Sequence, residues 1–303
     1  MAMSNYTIKN VSSAEQLNKL ITQFVAHEGW MPALDDHTLY YNTDPTGFFV
    51  GELDGEPISL ISIVKYGDSF AFMGLYIVLE KYRRQGYGLA LWTKALESCP
   101  FSYNIALDGV LSMTPLYRKW GFVDTFMSSK AQLNIATAST KLESFVPLYN
   151  VFVQPANQVD FNKLTVYDTD VFGAPHHLFL RGLVDGPNTI TLVASNQNGG
   201  ITGFVAARKT IIVEEGWKIT PLYADNGQVA RALLKAILKK MISNDPRRTV
   251  SMLLLASDTN PDTMTLSQEV DAVLLSDMCR MYTKGPLDFA KEKVYSYASA
   301  ELG

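Results

Sequence analysis

Tyr76-Ile-Val-Leu-Glu-Lys-Tyr-Arg-Arg-Gln-Gly-Tyr-Gly-Leu-Ala-Leu-Trp92 opens on an apolar run, crosses a loop with two arginines and two glycines, and closes on the first turns of a helix. That order is a strand–turn–helix unit. Gly86 and Gly88 let the backbone turn tightly, so successive amide N–H groups converge at the positive end of a helix dipole. Arg83 and Arg84 add charge-assisted donors for phosphate oxygens. Leu89, Trp92 and Leu96 recur at i, i+3 and i+7, and Pro100 closes the helix. The chemistry is that of a pyrophosphate site; its bland counterpart is a strand-to-helix turn with solvated arginines.

The surroundings supply a sheet for this unit. A strand at Tyr6–Val11 precedes a helix started by Ser12 or Ser13, with Glu15 and Gln16 placed for a capping box and Leu17, Leu20, Ile21, Phe24 and Val25 on one face. Phe48–Leu53, the turn Asp54-Gly55 and Ile58–Lys65 form a hairpin, and Gly67-Asp68 turns the chain into Phe70–Leu79. Asn104–Leu107 suits a strand parallel to the preceding one. A helix near Thr114–Trp120 then leads through Gly121-Phe122 into a last strand ending near Leu133. The fold class is α/β (α+β): a mostly antiparallel mixed sheet with a βαβ crossover and helices on both faces.

The glycine loop resembles the Arg-x-x-Gly-x-Gly signature of the GNAT superfamily of N-acetyltransferases, carried by Arg83, Gly86 and Gly88. The resemblance implies that Arg83, Arg84, Gln85, Gly86, Tyr87 and Gly88 hold the pyrophosphate of acetyl-coenzyme A. It further implies that a backbone N–H near Ile77, Val78 or Leu79 stabilises the thioester oxygen. Leu116-Tyr117-Arg118-Lys119-Trp120-Gly121-Phe122 is similar to the family's Tyr-x-x-x-Gly-Phe pattern, which makes Tyr117 the general acid toward the leaving thiolate and a neighbour of the cofactor. The plain alternative for Tyr117 is a packed aromatic. Many family members place a glutamate on the strand before the loop, but Phe72-Met73-Gly74-Leu75-Tyr76 carries no carboxylate. Asp108 is the first candidate base and Glu28 the second; Asp108 equally suits a turn, being followed by Gly109.

His27-Glu28-Gly29-Trp30-Met31-Pro32, Leu107-Asp108-Gly109-Val110, Tyr167-Asp168, Phe172-Gly173, Pro221-Leu222-Tyr223-Ala224-Asp225 and Glu301-Leu302-Gly303 resemble signatures of a two-domain GNAT subgroup. Glu28, Trp30, Asp35 and Asp36 are the substrate-side candidates, the acidic ones suited either to attract a cationic amine or to sit in a solvated loop. The subgroup's arginine shortly after Phe-Gly has no counterpart here, where His176 stands.

The second half repeats the element order with strands at Thr189–Ala194, Ile201–Arg208, Trp217–Leu222 and Val250–Ala256 and a helical stretch from Asp262 to Ser276. Between them, Ala230, Leu233, Leu234, Ile237, Leu238 and Met241 stripe a long helix. Its entry, Asp225-Asn226-Gly227, has a carboxylate where the first half has arginines, and Asp225 or Asn226 reads as a helix N-cap. The expected organisation is tandem GNAT folds: a catalytic, acetyl-coenzyme A-binding unit over 1–137, a linker over 138–150 and a degenerate unit over 151–303.

At 303 residues, 47% hydrophobic and 18% charged, the chain has the composition of a globular protein. A net charge of −4 argues against a nucleic-acid partner. No apolar run approaches the ~20 residues that span a bilayer, and the first residues do not form a signal peptide. Cys99 and Cys279 alone make no disulfide scaffold, so a cytoplasmic location is expected. The four histidines lack metal spacing, no metal is expected, and His176-His177 reads as a polar surface pair. The expected reaction is acetyl transfer from acetyl-coenzyme A to a primary amine of a small molecule or peptide by direct attack. The alternatives are a non-catalytic acyl-coenzyme A sensor or scaffold, and an aminoacyl transferase. The sequence leaves the oligomeric state open.

Overall fold

A computed structural model describes residues 5–25, 28, 30–148, 150–212 and 216–303. In the first half the order is β1 (Tyr6–Asn10), α1 (Ala14–Val25), α2 (Asp36–Thr43), β2 (Phe48–Leu53), β3 (Glu56–Tyr66), β4 (Phe70–Val78), α3 (Tyr87–Glu97), β5 (Asn104–Val110), α4 (Thr114–Arg118) and β6 (Val123–Asn134). After α5 (Ile135–Lys141) the second half answers element for element. It runs β7 (Phe152–Pro155), α6 (Phe161–Phe172), α7 (His177–Asp185), β8 (Thr189–Ser195), β9 (Ile201–Lys209), β10 (Trp217–Ala224), α8 (Gly227–Asn244), β11 (Val250–Leu255), α9 (Pro261–Glu269) and β12 (Val273–Tyr282), and then adds β13 (Val294–Ser296).

Local chemistry explains most boundaries. Ser13 caps α1, its hydroxyl accepting from the Gln16 amide at 3.2 Å, while the Gln16 side chain accepts from the Ser12 N–H at 2.7 Å. Asp54 and Gly55 both have left-handed backbone, as a two-residue hairpin between β2 and β3 requires. Asn226 caps α8, accepting from the Gln228 and Val229 amides. The helix expected over Asp262–Ser276 instead ends at Glu269: Asp271 takes a left-handed conformation (φ 54°) that breaks it, and Val273–Ser276 begin a strand. The helix expected over Thr114–Trp120 is shorter, ending at Arg118. On α3 the buried stripe is Leu91, Trp92 and Ala95, and Leu89 is 56% exposed, so the expected stripe holds only at Trp92 and, partly buried, Leu96.

All thirteen strands of the described residues form one sheet, in the order β1-β2-β3-β4-β5-β12-β6-β11-β13-β10-β9-β8-β7. The order is nearly palindromic about the β12–β6 pair, as a duplicated fold with a pseudo-twofold axis would give. The halves exchange strands there. β12, from the second half, lies beside β5 of the first, and β6 lies beside β11 of the second. β4 and β10 occupy equivalent places, each paired in parallel with the strand that follows its helix. Both parallel ladders are short, and the strands then separate. Between β10 and β11 the space is taken by β13, which bonds both; between β4 and β5 no strand of the described residues lies.

Hydrophobic cores lie on both faces of this sheet. One face of the first half buries Phe70, Phe72 and Ala106 with α1, α2 and second-half residues such as Phe172 and Tyr223. The other buries Ala71, Met73, Ile105 and Leu107 with Trp92 of α3 and Tyr117 of α4. Ile135, Ala138 and Leu142 pack with α8 and the second-half strands, so the segment expected as a linker begins with a helix built into a core. Tyr149 of that segment lies outside the described residues.

Candidate active site

The loop between β4 and α3 has the backbone that its glycines predict. Arg84 (φ 63°) and Gly86 (φ 91°) are left-handed, and Gly86 is the N-cap of α3 without any side chain capping it. The first helical bond runs from the Ala90 amide to the Gly86 carbonyl, which leaves the amides of Tyr87, Gly88 and Leu89 without helical partners. These donors, aligned with the helix dipole, form an anion cradle. Arg84 and Gln85 are exposed beside it. The Arg83 Nε donates to the Val78 carbonyl at 2.8 Å, and its guanidinium pairs with the Glu28 carboxylate. Glu28 and the β4–α3 loop are therefore brought together; His27 and Gly29 lie outside the described residues.

β4 pairs with β5 from Phe70↔Asn104 to Met73↔Leu107. Its pairing with β3 slips between Leu60 and Ser62, opposite Leu75, which has φ 49°. The two parallel strands part beyond this irregularity. The Leu79 amide donates to the Ile58 carbonyl of β3 at 3.0 Å, so Leu79 is not available as the expected oxyanion donor. Alternate residues of an antiparallel strand bond the same neighbour. Ile77 therefore also faces β3, and Val78, whose carbonyl meets Arg83, faces the β5 side. Of the three expected donors, Val78 is the one turned to the gap.

Tyr117 approaches this gap from the α3 face. Its ring lies against Gly109 of β5, where a Cβ would come within 2.9 Å, and stacks on Trp92 with centroids 5.4 Å apart. It is 9% exposed, and its hydroxyl makes no hydrogen bond to any described residue. Burial, with a smaller push from Tyr76, raises its pKa to about 12.

The acidic candidates fare differently. Asp108 lies on β5 opposite Arg280 of β12 and accepts from its Nε at 2.8 Å and its Nη2 at 2.6 Å. The carboxylate is fully buried, so it is neither a turn residue nor a free base. Asp35 accepts from the backbone and side-chain amides of Asn188. Asp36 is buried and pairs with the buried Arg208. Burial would push its carboxyl up, but Arg208 and Lys218 outweigh that and hold it below the ordinary carboxylate value. Both aspartates pin the α1–α2 segment to the second half instead of lining a solvated acidic loop. Trp30 is half-buried against the same core. His176 is also not a surface residue: it is 1% exposed, stacked between Phe172 and Phe179, with Nδ1 3.0 Å from Asp168.

One residue that the strand pattern alone did not place is brought to β4 by the fold. The segment after β13 runs across the core, and the Glu301 carbonyl lies against Gly74, where a Cβ would come within 2.0 Å. The signal available in the sequence was Gly74 itself, a residue without a side chain in an otherwise bulky strand.

At the second half's equivalent of the β4–α3 loop, Asp225 accepts from the Tyr167 hydroxyl and faces Lys293, and Asn226 caps the helix. Among the described residues no helix is long and apolar enough to cross a membrane.

Comparison with known proteins agrees with this geometry in both halves. A model of the GNAT acetyltransferase family matches residues 14–122, and a GNAT acetyltransferase-domain model matches residues 164–296. Holothin acyltransferase from Pseudoalteromonas sp. (strain SANK 73390) is 25% identical over 285 residues, covering 94% of this chain and 91% of that one. A proposed acetyltransferase from Pyrococcus horikoshii superposes with a TM-score of 0.78 at 19% identity, over 100% of this chain and 98% of its own. A tandem GNAT protein from the clavulanic acid biosynthesis pathway superposes at 0.67 and 14% identity, over 93% and 99% of the two chains. The duplicated element order, the parted β4–β5 pair and the two family matches together identify the chain as an acyltransferase of the GNAT acetyltransferase family, with two GNAT folds in tandem.

Proposed function

We propose that the chain is an acetyl-coenzyme A-dependent N-acetyltransferase that acetylates a primary amine of a small molecule or peptide by direct attack, at a site in the first half. The observation that carries this reading is the unsatisfied amide cradle at Gly86–Leu89 beside two strands that stop pairing after Met73↔Leu107, with no described strand between them. A nucleotide diphosphate fits the cradle, and an extended amide-bearing arm fits between the strands as a further strand would. The corresponding space in the second half is filled by β13.

Bound acetyl-coenzyme A supplies the thioester, an electrophilic acyl group. The chain's own residues do the rest. The loop amides and Arg83 and Arg84 hold the diphosphate, and the Val78 amide is aimed where negative charge gathers on the acyl oxygen. Tyr117 keeps its proton at neutral pH, since burial raises its pKa, and can give it to the sulfur as the thiolate departs.

Thiol release from acetyl-coenzyme A in the presence of a panel of primary amines tests this. The expected result is amine-dependent release that falls about a hundredfold in Tyr117→Phe, with acetyl-coenzyme A affinity retained. Tight coenzyme A binding without amine-dependent release would favour the sensor reading, to which the tied-up Asp108 lends support.

A further inference from the structure

The first half has no free carboxylate on β4 or β5, yet attack by an amine needs somewhere for the nitrogen's proton to go. We propose that Glu301, delivered by the second half, is the carboxylate on the acceptor side of the first half's site and takes that proton. This rests on the acetyl-transfer reading above and assigns a residue within it.

The placement is geometric. Gly74 is the residue at which β4 leaves β5: the paired register ends at Met73↔Leu107, which sets Gly74 beside Asp108 at the head of the gap. Phe70 and Phe72 of β4 face the core shared with the second half, and Gly74 shares their side of the strand. On that side the space a Gly74 side chain would fill holds the Glu301 backbone. Tyr117 meets the gap one residue further along β5, at Gly109, from the opposite face of the sheet. The Glu301 backbone and the Tyr117 ring thus flank the strands from the two faces of the sheet, and the Glu301 carboxylate lies one side chain's length from that backbone.

The side chain is held but not sealed. It accepts from the Ser299 hydroxyl at 2.6 Å and the Tyr40 hydroxyl at 3.0 Å, with Lys218 at 4.0 Å, and remains 14% exposed. Tyr40 and Asp36 face it from α2, Arg208 from β9 and Lys218 from β10. Burial pushes the carboxyl up and Asp36 adds to that, but Lys218, Ser299 and Arg208 bring it below the ordinary value, so it is an anion at neutral pH. In the reaction the amine nitrogen bonds to the thioester carbonyl carbon and the carbon–sulfur bond breaks. The nitrogen's proton passes to Glu301, and the sulfur takes the proton of Tyr117. Transfer of the Glu301 proton to the Tyr117 phenolate through solvent restores both.

The test needs no knowledge of the natural amine. Calorimetry compares S-(2-aminoethyl)-coenzyme A, which carries an ammonium next to the sulfur, with its uncharged isostere S-propyl-coenzyme A. The wild type is expected to prefer the ammonium conjugate by about tenfold at low salt, since an anion is held close to the gap. Glu301→Gln should abolish the preference while binding coenzyme A itself as before; Tyr40→Phe should keep it. Should Glu301→Gln fail to fold, Glu301→Asp, with its charge drawn back by one methylene, must weaken the preference. A wild type that binds coenzyme A without any preference, or a Glu301→Gln variant that retains it, overturns the assignment and leaves the acetyl-transfer reading standing. Absence of any coenzyme A binding removes both.

Discussion

Arg83 has two claims on it. In the structure its guanidinium bonds the Val78 carbonyl and the Glu28 carboxylate, and a diphosphate in the loop would compete for the same donors. Both side chains are partly exposed, so the pair itself contributes little. Glu28→Gln should therefore tighten coenzyme A binding by roughly two- to fivefold, the range expected for losing an exposed ion-pair competitor. A weaker affinity in calorimetry would mean that Glu28 holds Arg83 in place for the ligand instead. Tyr117 makes a claim about pH. Its folded pKa lies above the ordinary phenol value, so its proton is present throughout the neutral range and is lost only as pH rises toward about 12. Single-turnover acetylation should show no alkaline fall attributable to this group below about pH 10. A fall near pH 8 that disappears in Tyr117→Phe would contradict its assigned environment.

At the level of elements, α2 is the joint between the halves. Asp36 meets Arg208 and Lys218, Asp35 meets Asn188, and the Leu34 amide donates to the Lys209 carbonyl at 2.8 Å. Asp36→Asn strips the partner from a buried guanidinium and should cost about 3–5 kcal/mol in urea denaturation; a loss under about 1 kcal/mol would mean the cluster is not tight. The sign with pH follows from the depressed Asp36 carboxyl: its contribution is full above the ordinary carboxylate value and is lost as pH falls through its folded value. These joints explain what the sequence could and could not reveal. Elements bounded by local chemistry were legible: the Asp54-Gly55 turn, the Ser13 cap, the Asn226 cap, and the loop whose φ angles require Gly86. Asp36 reads as a solvated acid because its partners lie more than a hundred residues further along the chain. The first residues of β12, Val273–Ser276, read as a helix extension because Val273-Leu-Leu suits either state, and only Asp271's left-handed turn and a strand partner from the other half decide it. Glu301 carries no local mark of its neighbour Gly74.

The whole molecule is two copies of one fold locked by exchange. β12 completes the first half's sheet and β6 the second's, so neither half keeps its edge paired without the other. Residues 1–150 expressed alone should fail to give a cooperatively folded monomer, and the intact chain should unfold in one transition by circular dichroism. A folded, cooperatively melting fragment would show that the exchanged strands are dispensable. The two halves differ at equivalent places. β13 bonds both β10 and β11 in the second half, and Asn226 caps α8 with its side chain where α3 has Gly86 and no side-chain cap. The most direct measurement is calorimetric titration of acetyl-coenzyme A into the full chain. One molecule should bind per chain, with an affinity lowered at least about tenfold when Arg83→Ala and Arg84→Ala are combined, as charge-assisted bonds to the diphosphate are lost. Two molecules per chain, or an affinity untouched by the double substitution, would contradict it.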